Sequence, residues 1–93
     1  MGPMGPTTPS APAAANQVNI AGFAFSPSTL TVSKGTTVTW TNKDQAPHTV
    51  TGGGLNSPTL GNGATYSFTF KSTGTFNYIC TIHPNMHGTV VVK

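Results

Sequence analysis

Arginine and glutamate are absent from this 93-residue chain, and Asp44 is its only acidic side chain. With one Asp and no Glu, a hydrolytic triad has little to draw on. The four lysines, Lys34, Lys43, Lys71 and Lys93, are dispersed along the chain and leave a net charge of +3. Nucleic-acid binding wants clustered Lys and Arg, so that class is set aside. Cys80 is the single cysteine, which excludes an internal disulfide. No apolar run approaches the ~20 residues of a membrane span. Met1 to Ala15 also lacks the basic start and apolar stretch of a signal peptide, so an exported protein is expected here in its mature form. The triplet Gly52-Gly53-Gly54 has no Lys-Ser/Thr behind it and is no phosphate loop.

What is present is β-forming. The first fifteen residues are Gly, Pro, Ala, Ser and Thr with two Met, and read as a flexible tail over 1–15. Residues 16–93 are expected to form one domain. A domain of that size buries only roughly 60–65% of its unfolded surface, so a metal staple or tight sandwich packing would help it. Val18 and Ile20 alternate with polar neighbours, and Phe23 and Phe25 run into the Ser26-Pro27-Ser28 turn. Leu30 and Val32, then Val38 and Trp40, alternate with threonines in the manner of half-buried antiparallel strands. A short strand is expected over His48 to Thr51, followed by a long irregular loop to Gly63. Tyr66, Phe68 and Phe70 alternate, as do Phe76, Tyr78 and Cys80, and Thr89 to Val92 is apolar enough for a central strand. No segment carries a helical period. The pattern predicts an all-β Greek-key sandwich or small barrel of about seven to eight strands.

The chemistry concentrates in Cys80-Thr81-Ile82-His83-Pro84-Asn85-Met86, a Cys-x-x-His-x-x-Met spacing where a strand gives way to a loop. Cys80 shares the parity of Phe76 and Tyr78, which points its sulfur inward. Taken singly, Cys80 reads as a small buried hydrophobe, Met86 as core filler, and His48 and His83 as surface or capping residues. Taken together, a thiolate, an imidazole and a thioether on one loop suit copper. A second imidazole would complete a trigonal two-His, one-Cys plane with a weak axial Met, and His48, just after Pro47, is the candidate. His87 directly follows Met86 and precedes Gly88, and since adjacent residues on a strand point opposite ways it is read as a surface residue. Met1 and Met4 are read as tail residues rather than Cu(I) ligands.

From about Gln17 onward the chain resembles the cupredoxins, and its ligand loop is similar to that of amicyanin and plastocyanin-like proteins. The resemblance rests on Phe25-Ser26-Pro27, Leu30-Thr31-Val32, Gly35 to Asn42, Ala46-Pro47-His48-Thr49-Val50 and the Cys80 loop. It implies a cupredoxin domain over 16–93 with one type 1 copper ion held by His48, Cys80, His83 and Met86. It also implies a small soluble blue-copper electron-transfer protein, not an enzyme, monomeric and periplasmic or otherwise extracytoplasmic. Redox partner proteins would dock transiently near His83, on apolar surface drawn from Ala46, Pro47, Ile82, Pro84, Pro58 and Leu60. One departure stands out: Thr49 occupies the position where these families usually carry an Asn that braces the Cys loop. The alternative is a copper storage or delivery module, which would be expected to show exposed Met or Cys clusters. Structural zinc is disfavoured because thioether is a poor zinc ligand. A copper oxidase would need further His pairs, and only His87 is left over.

Acid unfolding is largely the protonation of carboxylates that are paired in the native state, and Asp44 and the C-terminus are the only ones here. The metal-free protein is therefore expected to keep its fold in acid. A pH titration followed by circular dichroism checks this; cooperative unfolding near about pH 4 would contradict it.

Overall fold

The computed structural model describes residues 16–93, and the tail expected over 1–15 lies outside them. Nine strands run in chain order: β1 Gln17–Ala21, β2 Ala24–Ser26, β3 Thr29–Val32, β4 Thr37–Asn42, β5 Thr51–Gly52, β6 Leu55–Asn56, β7 Thr65–Thr69, β8 Gly74–Ile79 and β9 His87–Val92. They form a four-stranded sheet in the order β2-β1-β4-β7 and a five-stranded sheet in the order β3-β9-β8-β5-β6. The chain crosses between the sheets after β2, β3, β4, β6 and β7, so it is a sandwich of two interleaved sheets. No helix among the described residues is long and apolar enough to cross a membrane.

The alternation read from the sequence sets which side chains fill the space between the sheets. Val18, Ile20, Phe25, Val38, Trp40, Tyr78, Val90 and Val92 are all buried, with Trp40 wholly covered at the centre. Threonines line the outer face, where Thr37 and Thr39 share hydrogen bonds with Thr69 and Ser67 across the β4–β7 pair. Two features depart from expectation. The sheets are mixed: β1 runs parallel to β4, and β3 runs parallel to β9. A period of two specifies the buried face but not the direction of the partner strand, which the crossovers decide. The Gly52–Gly63 stretch is also more ordered than a loop. Gly53-Gly54 forms the two-residue turn of a β5–β6 hairpin, with φ of 61° and 89°. Both central residues of such a turn need positive φ, and strands of two residues are too short for alternation to reveal.

Tyr78 marks the tightest packing. Its ring lies across the backbone of Gly88 on the neighbouring strand, so that a Cβ at Gly88 would overlap the ring and hydroxyl. Tyr78 is itself 2% exposed and packs edge-on against Phe25 and Trp40, so the ring has nowhere to retreat. Trp40 Nε1 approaches the Tyr78 hydroxyl, yet neither atom completes a hydrogen bond. Gly88→Ala is therefore expected to cost about 1–3 kcal/mol by overpacking, read as a lower urea midpoint at constant slope. Tyr78→Phe removes a hydroxyl without a partner and is expected to be neutral to within about 1 kcal/mol, or stabilising.

Candidate metal centre

The site is assembled at the end of the sandwich where β4, β5 and β8 finish or begin. Asn42, the last residue of β4, is fully buried and organises the segment that follows. Its Nδ2 donates to the carbonyls of Ala46 and Leu60, at 2.9 and 2.8 Å. Its Oδ1 accepts the Asp44 N–H at 2.8 Å, which closes an Asx turn. The loop then delivers His48 to an isolated bridge with Leu60, in which each residue donates its N–H to the other's carbonyl. His48 is completely buried, and its Nε2 lies 2.9 Å from Asp44 Oδ2. That contact fixes the ring and leaves Nδ1 facing inward.

Cys80 follows β8, fully buried as its parity predicted. The loop after it is closed by backbone bonds: Met86 N–H to His83 O at 2.9 Å, and Cys80 N–H to Met86 O at 3.2 Å. His48 Nδ1 and His83 Nδ1 each lie 3.7 Å from Cys80 Sγ, and the three donor atoms all fall within 4.8 Å of one another. Met86 is buried on the same loop, while His87 is exposed at the start of β9. Of the residues singled out in the sequence, His48, Cys80 and His83 thus converge, with Met86 beside them.

The donor set fits a soft, borderline metal ion. Burial pushes the Cys80 thiol up, but the Thr49 N–H and the two imidazoles outweigh it and bring it down to about 6. A thiolate is therefore available at neutral pH. The three donor atoms lie close enough together to be offered to a single ion. Two imidazoles, a thiolate and a neighbouring thioether match the copper preference better than the all-N/S sets of structural zinc.

Thr49 takes over the bracing expected of an Asn. Its N–H donates to Cys80 Sγ at 3.3 Å, and its hydroxyl accepts the Thr81 N–H at 2.9 Å while meeting the Thr81 hydroxyl at 2.9 Å. The hydroxyl therefore ties the His48 segment to the Cys80 loop directly.

Two contributors were not picked out from the sequence. Asp44 accepts the N–H of Gly22 at 2.8 Å and of Phe23 at 2.9 Å besides holding His48. The Phe23 N–H above all, then the Gly22 N–H and the His48 ring, hold its carboxyl below the usual range against partial desolvation. A depressed carboxylate stabilises the fold above its unfolded pKa and loses that contribution as pH falls through the lower folded value, so Asp44 is the one described side-chain carboxylate whose protonation would weaken the fold in acid. The second is Phe23, read as running with Phe25 into the Ser26-Pro27-Ser28 turn but found 52% exposed in the β1–β2 turn. Its ring makes T-shaped contacts with His48 and His83, at centroid distances of 5.3 and 4.9 Å. The Asx pattern at the end of β4 was the available signal for Asp44; nothing local signalled Phe23. The expected apolar surface also changes membership, because Leu60 is 2% exposed and packs inward through its bridge to His48, whereas Ile82 is 42% exposed.

Comparison with known proteins agrees with this geometry. A family model described as a cupredoxin-like domain matches residues 4–92. The chain is 41% identical to amicyanin-alpha of Methylorubrum extorquens over 85% of its own length and 72% of that protein's. It is 33% identical to plastocyanin of Scenedesmus fuscus, over 74% of this chain and 86% of that one. Among solved structures, a novel purple cupredoxin from Nitrosopumilus maritimus superposes with a TM-score of 0.77 at 33% identity, covering 83% of this chain and 98% of that one.

Removing the Thr49 hydroxyl should loosen the Cys80 loop. Thr49→Val is expected to cost about 1–2 kcal/mol in the metal-free protein, measured by urea unfolding. It is also expected to weaken metal binding roughly 10–100-fold, measured by competition with a chelator, while Thr49→Asn restores most of both.

Proposed function

The chain belongs to the cupredoxin family, copper-binding electron carriers rather than enzymes, and we propose that it is a small blue-copper electron-transfer protein. In this reading one type 1 copper ion would be held by His48, Cys80, His83 and Met86. The observation that carries it is the convergence of two imidazole Nδ1 atoms on one buried thiol sulfur.

When bound, copper supplies the one-electron chemistry by alternating between Cu(I) and Cu(II). The protein's part is to keep the donors still. His48 comes from the segment after β4, and Cys80 and His83 from the loop after β8, so the donors would be held in place by two backbone segments braced against each other. His48 is locked by Asp44 and the Leu60 bridge, Cys80 by Thr49 and the Met86 carbonyl, and His83 by the closed loop.

The electron is proposed to leave through His83, the half-buried imidazole, since His48 is fully covered. Ile82, Pro84 and Pro47 are exposed around it and form an apolar docking surface for redox partner proteins. With few charges on the chain, docking would rely on apolar contact, bury less than ~1,200 Å² and depend weakly on salt. The protein is taken to work as a monomer in a periplasmic or otherwise extracytoplasmic compartment, as its resemblance to amicyanin suggests.

The test is the visible and EPR spectrum of the Cu(II)-loaded protein. An intense colour from Cys80 thiolate-to-copper charge transfer is expected, and Cys80→Ser should abolish it. A colourless Cu(II) complex with an ordinary tetragonal EPR signal would refute the proposal. Pro84→Glu should slow electron self-exchange while the colour persists; unchanged exchange would move the port elsewhere.

A further inference from the structure

The β1–β2 hairpin is closed by Gly22-Phe23, with φ of 61° and 58° between the paired residues Ala21 and Ala24. A two-residue turn with both φ values positive calls for Asn-Gly or Gly-Gly, because a β-carbon crowds the backbone there. Phe23 is a large residue in that conformation and the only non-glycine residue with positive φ among those described. It is also the most exposed large apolar side chain described, at 52%. Neither turn propensity nor burial explains a phenylalanine at this position.

Its surroundings do. Both turn N–H groups donate to the Asp44 carboxylate, and the same carboxylate holds His48 Nε2. The ring so positioned touches both imidazoles, one of which, His83, sits on a loop with no carboxylate of its own. A strained residue at a site where local rules fail is where a functional constraint is expected.

We propose that Phe23 is a positioning residue of the metal centre: Asp44 clamps the Gly22-Phe23 turn so that the aromatic ring bears on His83 and His48 and keeps the loop histidine on the ion. This rests on the copper reading above. Phe23 touches the ligands, not the ion, and its effect is on retention of the metal rather than on the ligand set.

The test compares Phe23→Gly and Phe23→Trp with the parent chain. Glycine takes the turn without strain, so the metal-free Phe23→Gly protein should melt at the parent temperature or above. The same variant, loaded with Cu(I), should release the ion to a bathocuproine chelator roughly tenfold faster, the equivalent of about 1.4 kcal/mol in lost ring contacts. Phe23→Trp should restore retention. In an Asp44→Ala background, which frees the turn, the Phe23→Gly effect should largely vanish. A merely structural phenylalanine would lower melting temperature and retention together, and that result, or parent-like release from Phe23→Gly, overturns the proposal. If the parent chain binds no copper, the function above fails on its own evidence. The clamp is then read in the metal-free protein by NMR. His83 ring protons displaced from free-histidine shifts in the parent and returning in Phe23→Gly support it, and equal shifts refute it.

Discussion

A sulfur that ionises near neutral pH at the dry end of a β-strand has to be compensated, and most of this site follows from how that is done. Cys80 is wholly buried, and desolvation alone would keep its thiol protonated. The ionised sulfur is favoured chiefly by three neighbours: the Thr49 N–H at 3.3 Å and the imidazoles of His48 and His83, whose Nδ1 atoms lie at 3.7 Å. Two of these contributors lie some thirty residues from Cys80 in sequence and reach it only because the sandwich brings the loop after β4 against the end of β8. A metal ion between the same atoms would replace weak S···N contacts by bonds of far greater strength.

The supporting bonds are economical because the chain has so few charges. One carboxylate, Asp44, meets two turn N–H groups and one imidazole, and one amide, Asn42, fixes the loop that carries both Asp44 and His48. Hydroxyls do the rest: Thr49 to Thr81, and Ser57 to the Val50 N–H. Neutral donors and acceptors of this kind keep their partners over a wide pH range, whereas a network of ion pairs would dissolve in acid. The cost falls at Phe23, whose left-handed backbone carries strain on the order of 1–2 kcal/mol for a residue with a β-carbon.

The sequence by itself determined the β class, the inward-facing residues and the chemistry of the Cys80 loop. These are local properties: alternation names the buried face of each strand, and a Cys-x-x-His-x-x-Met spacing keeps its donors within one loop whatever the rest of the fold does. It could also nominate His48, since only three histidines were available and one of them, His87, sat on the wrong side of a strand. Tertiary structure alone decided the parallel pairing of β1 with β4 and of β3 with β9, because side-chain parity is identical in both directions. It also decided the hairpin inside an apparent loop, the inward turn of Leu60, and the meeting of Asp44, Phe23 and His48. Those residues are brought together by a turn that breaks local preference and by a carboxylate from another segment. The contacts of Phe23 span more than twenty residues of chain, beyond the reach of any pattern that periodicity can express.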